Sequence, residues 1–525
     1  MSKMMKKGVS LVVFLLAVCL VFSACGNIEA AGVNIGVYGM LYAPLDVWDP
    51  SINFDQGMQT LHNMYETLLR YNPETDDFTY VLAEGYEKSD DGLTWTFRIR
   101  PGVTFHDGTP VNAAAVKYSF ERTVDIGLGA AFIWDPVERF EVIDEYTLAM
   151  HLNYTAPMDL VVSSPFAAFV FSPTTVEMNG SEWFNEGNEA GSGPYIIQSA
   201  TMGEQLILRR YEDYWGGWKD NQFDRVVLQK VSEAATRRLM LERGEADIVY
   251  ELPAEDVEAL KSNPNLVVEI NPSFENLFMM MNCAKGPLKD VKVRQALSYA
   301  FPYDDVIEYV MGGTATKATG PIPAGLWGQA AEGQVFTYYY DLEKAKQLLT
   351  EAGYPEGGFT LMLTYVTGDE IERKTAELFQ SECNKLGINI DIRPVTADML
   401  ISIGQSPNPD NRQDLSLVYW WPDVPGPYTY LYSIYHQSDP ISWNWTYYEN
   451  DVFDALIDKA NEISGADREA AIEMFIEAQR MIAEDAPAII CFDKQYMRAY
   501  RRTLGGYEDN PAYPHVVFFY DCFRK

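Results

Sequence analysis

Histidine is scarce in this sequence, with five residues among 525. The histidines stand at positions 62, 106, 151, 436 and 515, without the His-Glu-x-x-His spacing that places two metal ligands on one helix face. We therefore expect no metal site, and no motif indicates another cofactor. His106 precedes an Asp-Gly turn signal, so it is expected to be a surface turn residue rather than a ligand.

Positive charge is also in short supply. The chain carries 40 Lys and Arg against 75 Asp and Glu, a formal net charge of −35 at pH 7. Nucleic acids and anionic membrane faces would repel such a protein, so neither is expected as a partner. With 47% apolar residues the chain is not disordered, and at 525 residues it is too long for one core, so two or three domains are expected.

No apolar run is long enough to span a bilayer, which takes about 20 residues. The run at residues 9–22 is shorter and follows Lys3, Lys6 and Lys7, the pattern of an export signal. It ends in Phe22-Ser23-Ala24-Cys25, which resembles the lipobox of bacterial lipoproteins. The resemblance implies a signal peptide at 1–24, and at 25–32 a lipidated Cys25 and tether; a plain secretory signal is the alternative.

Cysteine is scarce as well, with six residues, of which Cys19 and Cys25 belong to this leader. Cys283, Cys383, Cys491 and Cys522 remain, and export permits disulfides without requiring them in a large chain. Cys491 and Cys522 both lie in apolar, strand-like runs. They are the pair best placed for a disulfide, and buried free thiols explain them equally well.

Prolines and aromatics are abundant, and they meet in residues 419–430, YWWPDVPGPYTY. Three prolines and a glycine exclude a helix interior or a central strand here, so a shaped loop is predicted. Asp423 is the only charge among Trp420, Trp421, Tyr428 and Tyr430. A carboxylate crowded by aromatic surface needs a partner, either a protein donor or a ligand cation; a solvated loop tip is the alternative.

Hydrophobic periodicity indicates alternating helices and strands. Strands are predicted at 33–40 and 93–100 and helices at 59–69 and from Asn112 onward. Further along, helices are predicted at 342–349, 371–386, 452–463 and 468–482, with strands at 359–365, 388–394 and 415–420. This alternation is typical of α/β units.

A series of motifs identifies a family. Residues 95–110 (WTFRIRPGVTFHDGTP), with Leu-Ala-Glu at 82–84, resemble the signature of extracytoplasmic solute-binding proteins of the peptide/nickel class of ABC importers. GSGPY (191–195), YWGG (214–217), GEADI (244–248), VRQAL (293–297) and EAGYP (351–355) follow in the family's order. The resemblance covers essentially the whole mature chain.

This resemblance implies an α/β, two-lobed periplasmic-binding-protein fold of type II, with an extra α/β domain and a hinged cleft. Lobe I is then expected from 33–75, 190–285 and 491–525, domain II from 76–189, and lobe III from 286–490. The resemblance also implies that the lobes close around a small solute and capture it, without catalysis.

The resemblance also implies a site. Trp420 and Asp423 match the position where peptide-binding members place an Asp against the ligand's amino terminus, with Trp421 and Tyr428 flanking it. Asn444 matches a family position near the cleft. Trp445, Phe132 and Trp134 are candidate walls for a peptide side chain or a sugar face, although a core role is common for Trp.

The solute itself stays open. Oligopeptide members often carry an Arg for the peptide carboxylate where this chain has Leu417, so either that carboxylate is met elsewhere or the ligand has none. A peptide is favoured and an oligosaccharide is the alternative. Two other classes are a secreted glycoside hydrolase, for which no paired-carboxylate motif is present, and a peptide-sensing receptor.

The expected partners follow from the family. They are an ABC permease and, through it, the ATPase subunits. The lipid on Cys25 is expected to anchor the protein to the cell membrane on its extracytoplasmic side. A monomer is expected.

Overall fold

The computed structural model describes residues 33–525. The predicted signal peptide, Cys25 and the tether lie outside the described residues. Within residues 33–525, no helix combines the length and the apolar character needed to cross a membrane. The predicted α/β class with two lobes is confirmed.

An eleven-stranded mixed sheet forms the backbone of both lobes. In spatial order its strands are β15 (Asn389–Val395), β14 (Thr360–Val366), β16 (Leu415–Trp420), β12 (Leu266–Met281), β17 (Ala488–Arg501), β11 (Ile248–Val249), β1 (Ile35–Met40), β10 (Arg225–Lys230), β9 (Gln205–Arg210) and β8 (Tyr195–Thr201), with β13 (Ala315–Thr316) paired to β17. We call the half with β1 and β8 to β11 lobe I, and the half with β14 to β16 lobe III.

Strands β12 and β17 belong to both halves. The first part of β12 pairs with the end of β17 beside β11, and the last part of β12 pairs with the start of β17 and with β16. Their register shifts between Pro272 and Asn276, where a proline cannot donate to the ladder. This irregularity lies in the two strands that the lobes share.

A separate four-stranded antiparallel sheet forms domain II. Its order is β4 (Ala83–Lys88), β5 (Thr94–Ile99), β7 (Thr147–Leu152) and β6 (Val137–Asp144), and the hairpin β2 (Leu69–Asn72) with β3 (Asp77–Tyr80) precedes it. In β5 the residues Trp95, Phe97 and Ile99 are buried and alternate with more exposed ones, as the period of two predicts. A last pair, β18 (Leu504–Gly505) and β19 (Phe523–Arg524), lies near the C-terminus.

Helices cover the sheets. They are α1 (Met58–Leu61), α2 (Ala113–Ile126), α3 (Met158–Val161), α4 (Pro173–Asn179), α5 (Ala234–Arg243), α6 (Ala254–Leu260), α7 (Val291–Ala300), α8 (Tyr303–Asp305), α9 (Leu342–Glu351), α10 (Glu370–Lys385), α11 (Ala397–Gly404), α12 (Pro427–Tyr435), α13 (Asp451–Ser464) and α14 (Arg468–Asp485). Short 3-10 turns occupy Ala131–Trp134, Ser181–Glu186, Gly286–Lys289 and Pro409–Asn411, and a π turn occupies Val306–Val310.

The helices of lobe III begin where the sequence predicts, because side chains cap them. Asp341, Asp369, Asn450 and Asp467 each accept a hydrogen bond from a backbone N–H in the first turn of α9, α10, α13 and α14. The four predicted helices and three predicted strands of this lobe are confirmed within two or three residues at each end. The helix predicted from Asn112 is also confirmed, with Asn112 as its N-cap.

The helix predicted at 59–69 is wrong. Helix α1 ends at Leu61, and the chain turns toward strand β2. Long-range contacts decide this: Asn63 Nδ2 donates to the carbonyl of Val517, and the backbone of Glu66 bridges to that of Val170. A local helical pattern cannot compete with these tertiary partners.

The choice left open for Cys491 and Cys522, a disulfide or buried free thiols, is decided by the structure. All four cysteines among residues 33–525 are free thiols. Cys491 lies in the core of lobe III, whereas Cys522 lies in the core of lobe I, so the second interpretation, buried free thiols, holds.

The domain boundaries stay predictions. Strand β12 falls inside the range assigned to lobe I, 190–285, and its second half pairs with β16 of lobe III. A continuous sheet therefore joins the two lobes across that boundary.

Candidate functional site

The proline-rich segment forms a loop only as far as Gly426. Helix α12 begins at Pro427, so Tyr428 and Tyr430 are helical, which corrects the prediction of a loop through residue 430. Pro427 occupies the first turn, where its missing N–H breaks no helical hydrogen bond. The loop proper is thus held between the end of β16 and the start of α12.

Asp423 is buried in this loop, with 1% of its surface exposed. Ser164 of domain II donates its hydroxyl to the backbone oxygen of Asp423 at 2.5 Å. Among residues 33–525, no donor reaches the carboxylate oxygen Oδ2. Burial raises the pKa of the carboxyl well above its usual value, and the Ser433 hydroxyl lowers it only in part. A donor or a cation from outside the chain would satisfy the free oxygen and favour the charged form of the acid.

Other unpartnered polar atoms lie in the sheet, on residues that pair across the strands β16, β12 and β17. Trp420, the last residue of β16, pairs with Asn276 of β12, which pairs in turn with Asp493 of β17. Asn276 donates to Asp493 at 3.2 Å, yet Asn276 Oδ1 and Trp420 Nε1 are buried without a partner. Burial raises the pKa of Asp493 to about 7. The strand that carries the unpaired donor of Trp420 ends three residues before Asp423.

Aromatic rings from lobe I, domain II and lobe III contact one another, and this cluster reaches Trp420. Phe54 of lobe I contacts Phe132 and Phe166 of domain II, with centroids 6.4 and 5.1 Å away, and Trp443 of lobe III at 6.4 Å. Trp443 also contacts Trp420 edge-on at 5.5 Å. The aromatic residues therefore line the contact between lobes.

A cavity of about 70 Å³ lies between domain II and lobe III, beside the Asp423 loop. Its apolar walls include Phe132, Leu160, Trp327, Val424, Tyr428 and Tyr432. Trp327 is fixed by a hydrogen bond from its Nε1 to the carbonyl of Pro425, and the Arg468 guanidinium lies 4.4 Å from its ring centroid. The cavity has room for a small apolar group only, and Val424 and Gly426 of the Asp423 loop form part of its wall.

Among the predicted site residues, Phe132 and Tyr428 line this cavity. Trp420 ends the strand β16, and Asp423 lies in the loop that follows it. Their roles in binding stay predictions. Trp421 is half-buried and packs against the same core. Tyr428 already donates its hydroxyl to Asp458 at 3.0 Å, so it presents mainly its ring to the cavity.

Three of the predicted site residues have structural partners instead. Trp134 donates to the carbonyl of Ala167 and packs on Phe120 in the core of domain II. Trp445 is 1% exposed and donates to the carbonyl of Ser442. Asn444 donates to the carbonyls of Tyr435, His436 and Tyr448 and accepts from Thr446. We assign these side chains to holding the loop and the core.

Sequence reasoning did not find Phe54, Phe166, Trp327 and Tyr432. They come from four distant segments, and no spacing in the sequence relates them. Only the packing of the lobes brings them together.

His106 also differs from its expectation as a surface turn residue, because only 7% of its side chain is exposed. Its Nδ1 lies 2.7 Å from Glu189 and its Nε2 lies 2.8 Å from the carbonyl of Gly193. Two acceptors on one ring favour the imidazolium form. Among residues 33–525, no group of His, Cys, Asp and Glu is arranged to hold a metal ion.

Comparisons with known proteins all point to one family of solute-binding proteins. The model of the bacterial extracellular solute-binding proteins, family 5 middle region, matches residues 77–441. The probable D,D-dipeptide-binding periplasmic protein DdpA of Escherichia coli is 30% identical over 479 residues, which cover 89% of this chain and 90% of DdpA. The glutathione-binding protein GsiB of Pectobacterium atrosepticum is 27% identical over 482 residues, 89% of this chain and 90% of GsiB.

Solved structures show the same fold. The periplasmic binding protein DppA of Helicobacter pylori, in complex with the peptide STSA, has a TM-score of 0.81 at 25% identity and covers 93% of this chain and 98% of its own. The oligopeptide-binding protein AppA of Bacillus subtilis, in complex with a nonapeptide, has a TM-score of 0.80 at 22% identity and covers 94% of this chain and 100% of its own.

Proposed function

The chain belongs to the bacterial extracellular solute-binding proteins of family 5, and we propose that it captures a peptide-like solute and delivers it to an ABC permease. Members of this family bind solutes for transport and are not enzymes. The relatives named above bind dipeptides, glutathione or longer peptides by their names and titles. A peptide's free amino group is the chemistry that these ligands share.

The unpartnered carboxylate of Asp423 carries the proposal. A buried acid without a cation is unfavourable, and a protonated amine at Oδ2 removes that penalty while forming a charge-assisted hydrogen bond. Trp420 Nε1 and Asn276 Oδ1, on paired residues of the two strands next to the loop, are a further unpartnered donor and acceptor of the kinds that a peptide backbone complements. The neighbouring cavity supports an apolar side chain on the same solute.

Closure is the proposed mechanism, and contacts across the cleft support it. Lys88 of domain II donates to the carbonyl of Gly465 at 2.5 Å, and Thr155 donates to that of Glu462, at the end of α13. Arg468 pairs with Asp76 at 3.2 Å. A solute that bridges the lobes adds to these contacts only in the closed form, so it shifts the equilibrium toward closure.

The test begins with the solute. Native mass spectrometry of residues 26–525 purified from the host should reveal a bound peptide. A thermal-shift series should then show stabilisation by dipeptides and longer peptides, about 2.7 kcal/mol at about 100 times the Kd. N-acetylated analogues should stabilise far less, because they lack the ammonium.

The alternatives have distinct outcomes in the same series. Stabilisation by oligosaccharides alone would replace the peptide with a sugar. Consumption of the ligand by pure protein would indicate an enzyme. Small-angle scattering should show a more compact particle with ligand, and an unchanged particle would contradict closure.

We also propose lipid anchoring at Cys25, on the basic start, the short apolar run and the small residues before the cysteine. Cys25→Ala should release the protein from the membrane fraction. Unchanged membrane association would contradict the anchor.

A further inference from the structure

The cavity between domain II and lobe III has two kinds of wall. Its fully buried wall, which we call the floor, is aliphatic and consists of Ile133, Ala156, Leu160, Val161 and Val424. The wall that keeps contact with solvent, which we call the mouth, carries rings and polar groups, among them Phe132, Asp135, Tyr154, Trp327, Tyr432 and Asn461. A ligand in this cavity therefore meets an apolar surface at one end and a polar surface at the other.

The mouth holds one charge. Of the residues that line the cavity, all of them within residues 33–525, only Asp135 is charged. It follows the 3-10 turn Ala131–Trp134 of domain II and keeps contact with solvent. The burial that remains raises the pKa of its carboxyl, and within residues 33–525 no hydrogen bond or opposite charge counteracts this effect. A cation beside the carboxylate would favour its charged form.

Asp135 also lies near the opposite side of the cleft. The rings of Phe132 and Tyr432 of lobe III have centroids 6.5 Å apart. Burial raises the pKa of Tyr154 to about 12, and the negative charge of Asp135 is the next largest cause. Burial followed by the same charge raises the pKa of Tyr432. Among residues 33–525, neither hydroxyl has a hydrogen-bond partner, so both could accept from a ligand donor.

The basic side chains around the cavity are held by other acids. None of them belongs to the cavity lining, and none pairs with Asp135. They are Arg468 with Asp76 at 3.2 Å, His436 with Asp458 at 3.3 Å and Lys459 with Glu462 at 2.9 Å. Within the described part of the chain, the carboxylate at the mouth is therefore left to water or to a ligand.

The aromatic part of the wall favours the same kind of ligand. The rings of Phe132, Tyr154, Trp327, Tyr428 and Tyr432 all line the cavity. Aromatic rings attract organic ammonium ions through their quadrupoles, and aliphatic walls accept the alkyl part of such ions. A neutral alcohol lacks the first attraction, and an anion would be repelled by Asp135.

We propose that this cavity binds a compact alkylammonium group, with its alkyl part on the floor and its ammonium beside Asp135 at the mouth. The group is a short aliphatic amine, either free or at one end of a larger solute. The proposal goes beyond the proposed function, because it needs neither a peptide nor Asp423, which does not line the cavity.

The site also joins the two sides of the cleft. Leu160 and Asp135 belong to domain II, whereas Val424 and Tyr432 belong to lobe III. An alkylammonium group contacts all four residues only when the two sides are closed. Its binding therefore adds to closure by differential affinity for the closed form.

The experiment compares three matched probes on residues 26–525. Isobutylammonium, isobutanol and isovalerate share the isobutyl group and carry a positive charge, no charge and a negative charge. Ligand-observed NMR titration at pH 7 measures their dissociation constants. We expect isobutylammonium to bind at least about tenfold more tightly than isobutanol, or about 1.4 kcal/mol, and isovalerate to bind most weakly.

A pair of variants locates the charge. Asp135→Asn should reduce the preference for isobutylammonium over isobutanol to under about threefold. Asp125→Asn is the matched control, because it removes the same charge from an exposed position of α2 in domain II, outside the cavity lining, and it should keep the full preference. Both positions are exposed, so both variants should fold, and thermal unfolding checks this.

The outcomes separate this site from the proposed function. Equal binding of isobutylammonium and isobutanol, or no binding of either, would overturn the alkylammonium site and leave peptide binding at Asp423 untouched. Binding of isobutylammonium by a protein that binds no peptide would keep the site and remove the peptide. An equal loss of preference in Asp125→Asn and Asp135→Asn would also overturn the site, because only the overall charge would then matter.

Competition identifies the source of the group. If the identified solute displaces isobutylammonium, the alkylammonium belongs to that solute. If both bind together, the group belongs to a separate small molecule. Either result supports the site.

Discussion

Glu66 and Asp423 are both buried carboxylates, with 6% and 1% of their surfaces exposed, and their surroundings differ completely. Glu66 accepts hydrogen bonds from Tyr214 and Ser192 at 2.8 Å, and Trp215 Nε1 lies 3.0 and 3.2 Å from its two oxygens. Asp423 has an oxygen with no donor. Burial raises the pKa of both groups. At Glu66 three hydrogen-bonding side chains and the charge of Arg70 counteract it, whereas at Asp423 only Ser433 does so.

The comparison separates a structural acid from a binding acid. A complete set of donors, all from the chain, means that the carboxylate contributes to the fold whether or not a ligand is present. An incomplete set means that part of its hydrogen bonding must come from elsewhere. Burial alone does not distinguish the two roles, whereas the count of partners does.

The largest expected effect is on ligand binding by Asp423→Asn. Removing one partner of a buried charged pair costs about 3–5 kcal/mol, so affinity for a peptide should fall by at least about a hundredfold. Calorimetric titration with the identified ligand and its N-acetylated analogue measures this. Without ligand, the variant should be at least as stable as the wild type, because burial opposes the charged form of Asp423 and Asn has no charge to lose.

An affinity within about threefold of wild type would make Asp423 a structural residue like Glu66. A neutral sugar would give an intermediate loss, about 1.5–3 kcal/mol for one hydrogen bond to a charged acceptor.

The converse change is Glu66→Gln. Its amide would place an NH2 group opposite donors from Ser192 or Trp215, so the free energy of unfolding should fall by about 1–3 kcal/mol. Urea denaturation followed by fluorescence measures the change. Ligand affinity should stay unchanged, and a large loss of affinity at normal stability would contradict the structural role.

A third prediction concerns the pH dependence of the free energy of unfolding, which His106 affects through its contacts where domain II meets lobe I. Burial opposes the charge on His106, but Glu189 and the carbonyl of Gly193 outweigh it, so the pKa of His106 is raised above 6.5. Its stabilising contribution is therefore fully present below pH 6.5 and is lost as pH rises through the folded pKa. Each unit of difference corresponds to about 1.4 kcal/mol.

Unfolding free energies measured between pH 6 and pH 9 should show this decline. The matched variant Glu189→Gln should flatten it, because the neutral amide no longer holds the proton. A decline of equal size in the variant would place the titrating group elsewhere.

The smallest effect is expected from Tyr428→Phe. Its hydroxyl is already bonded to Asp458, so it resembles Glu66 rather than Asp423. We expect a loss of stability of about 0.5–1.5 kcal/mol and less than a threefold change in ligand affinity. Thermal unfolding and titration of the same preparation measure both, and a tenfold loss of affinity would show that the hydroxyl contacts the ligand.

Local patterns in the sequence were sufficient for a set of elements in domain II and lobe III. The period of two at Thr94–Ile99 and the capped helical runs of lobe III each appear where predicted, because periodicity and capping act over a few residues. The strand Leu415–Trp420 and the position of Asp423 just beyond it were equally predictable.

Other features depended on groups far apart in the chain. The Gly-Ser-Gly turn at 191–193 is an example, since a Cβ on Gly191 would lie 1.9 Å from the carbonyl oxygen of Met64. That close approach, like the burial of His106 against Glu189, joins residues more than 80 positions apart. No local pattern contains it.

The site divides in the same way. The aromatic loop with one carboxylate could be recognised from residue types alone, since those types are unusual together. Whether that carboxylate found a donor, and whether Asn444, Trp134 and Trp445 were free to meet a ligand, depended on which distant backbone and side-chain groups came within about 3 Å. Hydrogen bonding acts over that short range, so only the packed chain decided which polar groups were satisfied and which were left for a solute.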